Sequence, residues 1–166
     1  LVAAYRRDGF AIIRRLVSPS EVAELASACD AVHAEGLSHG KSYRHGNLHY
    51  RLDAGEVRMA QWTSWHNAAL ADFRIDPRIA RLLSPFLGDD MKQIINQVHW
   101  KKPGGRGDFA FHQDSRFRKP AAAYRNLGDS YVQTGLAIDP HNPMSGGLQF
   151  LPASHLVGDL SLALDD

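Results

Sequence analysis

The chain has 166 residues, of which 44% are hydrophobic and 22% are charged, and its formal net charge is +1. This length and composition fit one globular domain, and the small net charge gives no general attraction to nucleic acid or an anionic membrane. No apolar run approaches a membrane span, and the single cysteine, Cys29, cannot form an internal disulfide, so we expect a cytoplasmic, reducing setting without membrane or nucleic-acid partners.

Helical patterns dominate the first 91 residues. The segment 5–13 indicates a short helix end and a glycine break, followed by a strand over 10–13. Ser18 begins a capping-box sequence, Ser-Pro-Ser-Glu, and therefore starts a helix that Gly36 is expected to stop. Cys29 lies on the apolar stripe of this helix, so it is assigned to the core and not to catalysis.

A loop and two further helices are predicted between residues 37 and 88. The polar segment 37–55, rich in glycine and histidine, is expected to be a mobile loop over an active site. A zinc site there is disfavoured, because structural zinc prefers cysteine-rich ligand sets; the histidines concerned are His39, His45 and His49. Residues 61–73 look helical, and Pro77 opens another helix that Gly88 closes.

The second half of the chain has a strand pattern. Strands are predicted over 93–100, 131–138 and 148–151, with turns rich in glycine and proline between them. Another strand, containing His112, follows a turn at 103–107. Helices first and strands later favour an all-β sandwich or barrel with a helical N-terminal flank.

The triplet His112-Gln113-Asp114 is the clearest chemical signal in the sequence. On a strand, His112 and Asp114 would project from one face and Gln113 from the other. A neutral imidazole and a carboxylate held side by side make two thirds of the 2-His-1-carboxylate ligand set of non-haem Fe(II) oxygenases. The triplet is short and common by chance, so a surface histidine and aspartate at a strand end remain the alternative.

Three motifs in order along the chain resemble the phytanoyl-CoA dioxygenase family. They are Tyr-Arg-Arg-Asp-Gly-Phe at 5–10, the His-Gln-Asp triplet followed by the run at 132–139, and Ser-Gly-Gly-Leu-Gln-Phe-Leu-Pro-Ala-Ser-His at 145–155. The ordered set is more specific than any one motif and spans nearly the whole chain. Ala153 and Ser145 replace the glycine and asparagine that are usual in the family.

The resemblance implies a fold of the mainly β class. This is a cupin-like double-stranded β-helix, or jelly roll, with α-helices flanking it at the N-terminal side. A single domain would cover residues 1–166, with 1–91 as the flank of helices and loop and 92–166 as the first part of the β-helix core. On this interpretation the C-terminal strands are missing, and we expect the fragment to be inactive alone.

The resemblance also implies Fe(II) and 2-oxoglutarate as cofactors. His112 and Asp114 would be metal ligands and catalytic residues of a dioxygenase that hydroxylates a small organic substrate with dioxygen and releases succinate and CO2. The third ligand, a histidine, and the arginine that binds 2-oxoglutarate are expected beyond Asp166. His155, in the Pro-x-Ser-His turn, is an outside candidate for that ligand.

Further residues and functions stay open at this stage. Phe109 and Thr134 are candidates for the cofactor pocket and equally for ordinary core. A cupin-like zinc hydrolase could use the same histidine and aspartate, and a non-catalytic binding relative would lack the distal histidine. Basic side chains after the triplet could bind an anionic substrate, although charged loops are usually just solvated; they are Arg116, Arg118, Lys119 and Arg125.

Overall fold

The structure is a computed structural model that describes residues 1–102, 110–124, 126, 128 and 130–158. Within these ranges the chain forms four α-helices and one antiparallel sheet of four strands. The helices are α1 (Val2–Asp8), α2 (Pro19–Ser38), α3 (Ala68–Arg74) and α4 (Pro77–Leu87). The strands are β1 (Tyr43–His45), β2 (Leu48–Asp53), β3 (Glu56–Gln61) and β4 (Gln97–His99), and they are neighbours in that order. The architecture is therefore mixed, with helices packed against a small sheet.

Side-chain caps explain where the helices begin. The Ser18 hydroxyl accepts from the backbone N–H of Glu21, and the Glu21 carboxylate accepts from the backbone N–H of Ser18, which confirms the predicted capping box. The predicted start of α4 at Pro77 is also confirmed. The helix predicted from residue 61 begins only at α3, because Asn67 caps it there by accepting from the backbone N–H of Leu70.

Gly36 does not stop α2 as expected, since the helix continues to Ser38. A Cβ at Gly36 would stand 2.8 Å from side-chain atoms of both Tyr50 and Val57, closer than real contacts allow. The glycine therefore lets the helix approach the sheet closely. Cys29 is buried on the same helix, and burial raises the pKa of its thiol to about 11, which confirms its assignment to the core.

The segment predicted as a mobile loop, 37–55, instead forms β1 and β2. Leu48, Tyr50 and Leu52 alternate with polar residues, so one face of β2 is apolar and packs in the core. Tyr50 is completely buried. The loop prediction was wrong because the polar, histidine-rich composition concealed this alternation. The buried core cluster consists of Val32, Leu48, Tyr50, Val57 and Ala60.

The strand predictions for the second half are confirmed only at β4, which is shorter than the predicted strand 93–100. The segments 131–138 and 148–151, and 10–13 near the start, have no strand assigned. A period-two pattern becomes a strand only where a neighbour supplies the ladder of hydrogen bonds. The described residues thus contain a mixed α and antiparallel β structure and no assembled jelly roll. Within the same ranges, none of the helices combines the length and apolar character needed to cross a membrane.

One arginine joins the starts of α2 and α4. The Arg78 guanidinium donates to the backbone carbonyl of Leu16 at 3.0 Å, to Glu21 at 2.5 Å and to Asp76 at 2.6 Å. Hydrogen bonds from Arg78 lower the pKa values of both carboxylates. The pKa of Glu21 falls to about 2, and the pKa of Asp76 falls as well. Because each pKa is lower in the folded protein, each carboxylate stabilises the folded state when it is charged.

The substitution Arg78→Met tests this network through the pH dependence of stability. A carboxylate whose pKa is depressed on folding contributes stability above its unfolded pKa and loses that contribution as the pH falls through the folded value. The variant should therefore be less stable than wild type near neutral pH, and the difference should shrink between about pH 4.5 and pH 2. A remainder at pH 2 would combine the bond to the Leu16 carbonyl with the part of the Glu21 contribution that is not yet titrated. Thermal unfolding midpoints across this range measure the effect.

The control is Arg14→Met, which removes an exposed arginine. It should change the midpoint little at any pH, since isolated surface charges contribute little to stability. A difference between Arg78→Met and wild type that is the same at pH 7 and pH 2 would contradict the proposed role of the two carboxylates.

Candidate functional site

The His112-Gln113-Asp114 triplet lies at the start of a 3₁₀ turn and not on a strand. Asp114 is the first residue of the turn Asp114–Phe117, and Gln113 before it is extended, with φ −100° and ψ 135°. The predicted strand is therefore wrong, because the chain turns immediately after Gln113. The two side chains nevertheless meet: His112 Nε2 lies 3.5 Å from Asp114 Oδ1.

A hydrogen bond to the backbone determines the tautomer of the neutral His112 ring. His112 Nδ1 lies 2.7 Å from the carbonyl oxygen of Ala110. A carbonyl oxygen only accepts, so Nδ1 carries the proton of the neutral imidazole. In that neutral form the lone pair is on Nε2, the ring nitrogen that lies 3.5 Å from Asp114 Oδ1. Histidines that bind metals typically donate their other N–H to such a carbonyl, which orients the ring.

The distance between the two atoms fits a shared divalent cation. Metal bonds of about 2.0–2.2 Å place two ligand atoms about 3 Å apart at a right angle and at most about 4.4 Å apart. The observed 3.5 Å between His112 Nε2 and Asp114 Oδ1 lies between these limits. The side chains are 27% and 33% exposed, so a small ion can reach them. The described part of the chain gathers no group of three residues of the types that bind metals, so within it this pair has no third candidate beside it.

An aromatic ring covers one side of the His112 imidazole. Phe117 packs edge-on against it with ring centroids 5.2 Å apart, and the guanidinium of Arg116 lies 5.8 Å from the centroid of the Phe117 ring. Phe117 comes from the same 3₁₀ turn as Asp114. The turn therefore brings a carboxylate and an apolar ring to the histidine together.

A hydrogen-bonded group next to Asp114 was not predicted from the sequence. Arg118 donates to the hydroxyl of Tyr131 and stacks over its ring at 4.6 Å, while that hydroxyl donates to the side chain of Gln133. Burial raises the pKa of Tyr131 and outweighs the hydrogen bond from Arg118, which lowers it, while the negative charge of Asp114 also raises it. The hydroxyl is therefore neutral at physiological pH, and Arg118 is held by the protein and is not a freely solvated loop residue.

The remaining predicted site residues have different settings. Phe109 and Arg125 lie outside the described residues. Thr134 is exposed in a segment without regular structure. His155 was the outside candidate for the third metal ligand. Its Nε2 lies 2.9 Å from the carbonyl oxygen of Arg6, at the end of α1, and donates to it. His112 and Asp114 are thus the predicted pair that the fold brings together.

Comparisons with known proteins identify the family of the chain. A profile of the phytanoyl-CoA dioxygenase family matches residues 5–165. The ectoine dioxygenase of Nocardia farcinica (strain IFM 10152) is 28% identical over 155 residues, covering 93% of this chain and 50% of the relative. Dioxygenase lolE1 of Epichloe uncinata is 31% identical over 90 residues, covering 54% of this chain and 32% of the relative. The chain thus spans half or less of these relatives' lengths, and no solved structure matches it.

The substitution His112→Ala in the full-length protein tests whether the pair binds a metal. Loss of a ligand should cost at least the roughly 10–100-fold in affinity that loss of an outer-sphere contact costs. Calorimetric titration with Fe(II) under anaerobic conditions, or with Co(II), measures the affinity. His141→Ala removes an exposed histidine from another turn and should leave it unchanged. Equal affinity in His112→Ala and wild type would rule out the assignment.

Proposed function

The chain belongs to the phytanoyl-CoA dioxygenase family, and on that premise we propose that the protein is a non-haem Fe(II)- and 2-oxoglutarate-dependent dioxygenase. It would hydroxylate a small organic substrate and release succinate and CO2. The observation that carries the proposal is the separation of 3.5 Å between His112 Nε2 and Asp114 Oδ1, with the tautomer set by Ala110. The names of both curated relatives also support a dioxygenase.

Each residue of the pair has a separate task in this proposal. His112 would bind the metal through Nε2, whose direction is held by the hydrogen bond from Nδ1 to the Ala110 carbonyl. Asp114 offers a carboxylate that partly neutralises a divalent cation. Bound iron would supply the activation of dioxygen coupled to oxidative decarboxylation of 2-oxoglutarate, which side chains alone cannot provide. Phe117 contributes an apolar ring that packs against the imidazole.

The rest of the family architecture enters as part of the same proposal. A cupin-like jelly roll would surround the pair, with α1 to α4 as its flank, within a single domain. A histidine outside the described residues would be the third ligand. Phe109 and Thr134 remain candidates for the cofactor pocket. The reducing setting of the cytoplasm suits both Fe(II) and the free, buried thiol of Cys29.

A zinc hydrolase is the main competing function, because zinc also binds imidazole and carboxylate. The two functions predict different requirements. A dioxygenase depends on Fe(II), dioxygen and 2-oxoglutarate together, whereas a hydrolase depends on zinc alone. Succinate formation under each condition therefore separates them.

The substitution Asp114→Ala should remove succinate formation by the full-length protein, with a loss of at least 100-fold expected for a missing ligand. Asp114→Glu should fail as well, because one added methylene displaces the carboxylate at the start of the 3₁₀ turn. Succinate is measured with Fe(II), dioxygen and a panel of small organic substrates. Asp139→Ala, an exposed aspartate in another turn, is the control and should retain turnover. Wild-type turnover by Asp114→Ala would show that the ligand assignment is wrong.

A further inference from the structure

Gln113, the middle residue of the triplet, connects the candidate site to a distant part of the chain. Its side-chain Nε2 donates to the carbonyl oxygen of Gly158 at 2.9 Å and lies 3.4 Å from that of Ser154. Ser154 begins another 3₁₀ turn, Ser154–Val157, and Gly158 directly follows it; we call this segment the C-terminal turn. One amide group thus holds both ends of a turn that lies 41 to 45 residues further along the chain.

The C-terminal turn itself packs against the end of α1. The ring N–H of His155 donates to the carbonyl of Arg6, and the backbone N–H of Ala153 donates to that of Asp8, both at 2.9 Å. Gly9 makes room for this contact: it has φ +82°, and a Cβ there would stand 2.5 Å from Nδ1 of His155. Contacts therefore run without interruption from α1 to the triplet.

From these contacts we infer that Gln113 is a positioning residue for the metal centre and that α1 supports the same centre through the C-terminal turn. The inference rests on the proposed function in one respect, namely that His112 and Asp114 are the ligands. Stacking of Phe10 on Phe150, with centroids 4.8 Å apart, adds a second contact between the two ends of the described chain.

The position of Gln113 between the ligands makes this role physically specific. Any rotation of its peptide units moves His112 and Asp114 relative to each other, because both are its direct neighbours. Asp114 opens a 3₁₀ turn, and Gln113 has no side-chain cap on that turn, so its amide is committed elsewhere. Contacts that orient metal ligands without touching the metal are typically worth roughly 10–100-fold in metal affinity.

The substitution Gln113→Met tests the inference in the full-length protein, because it keeps the side-chain length and removes the N–H donors. The Co(II) dissociation constant should rise by about 10-fold or more, and the visible absorption of bound Co(II) should change as the ligand geometry changes. The control Ser42→Ala removes side-chain hydrogen bonds, at 3.0 and 3.2 Å, from the residue before β1 to the backbone of Leu52 in β2. It should leave both the affinity and the spectrum unchanged, even where it lowers the unfolding temperature.

A second pair of variants tests the contribution of α1 without altering any residue of the triplet. Gly9→Ala introduces a methyl group against His155, whereas Gly55→Ala introduces one at a similar φ of +78° into open space. The positive φ is therefore matched, and only Gly9→Ala should weaken Co(II) binding and shift its spectrum. Its effect should not add to that of Gln113→Met, because both break the same path.

The results distinguish this inference from the proposed function. Wild-type protein that binds no metal would overturn both. Metal binding by wild type, together with unchanged affinity and spectrum in Gln113→Met and Gly9→Ala, would overturn only the positioning role. Should Gln113→Met fail to fold, the comparison of Gly9→Ala with Gly55→Ala decides alone.

Discussion

The amide of Gln113 is the contact on which the arrangement of the candidate site most depends. It bonds the triplet to the C-terminal turn, and that turn bonds to the end of α1, so three segments far apart in sequence share one support. Of the candidate ligands on either side of Gln113, His112 is oriented by a bond to the nearby carbonyl of Ala110. The bond to Ala110 orients the imidazole of His112, whereas the Gln113 amide connects the segment that carries His112 and Asp114 to the C-terminal turn.

Features that depend on a single turn of chain could be predicted from the sequence. The capping box at Ser18 and the proline start of α4 involve residues at most three positions apart, so their chemistry is readable directly. Strands depend on partners elsewhere, and the alternating pattern at 131–138 did not identify one. The role of Gly36 could not be predicted from the sequence either. It comes from the close approach of Tyr50 and Val57 and not from the neighbours of Gly36 in the helix.

The candidate site also has features that the sequence predicts and features that only the folded chain reveals. The closeness of His112 and Asp114 follows from their spacing in the sequence, although the backbone that achieves it is a turn and not the predicted strand. The tautomer of His112, the anchor of Gln113 and the contact of Arg118 with Tyr131 all require the folded chain, since none has a sequence signature. The family motifs predicted the pair His112 and Asp114, and the structure shows which contacts surround that pair.

The central claim is that His112 and Asp114 bind one divalent cation. Diffraction at the iron absorption edge, from crystals of the full-length protein grown anaerobically with Fe(II), tests it most directly. The account predicts one anomalous peak at about 2.0–2.2 Å from both His112 Nε2 and Asp114 Oδ1. A peak bound elsewhere with no contact to this pair, or a bond through His112 Nδ1, would contradict it.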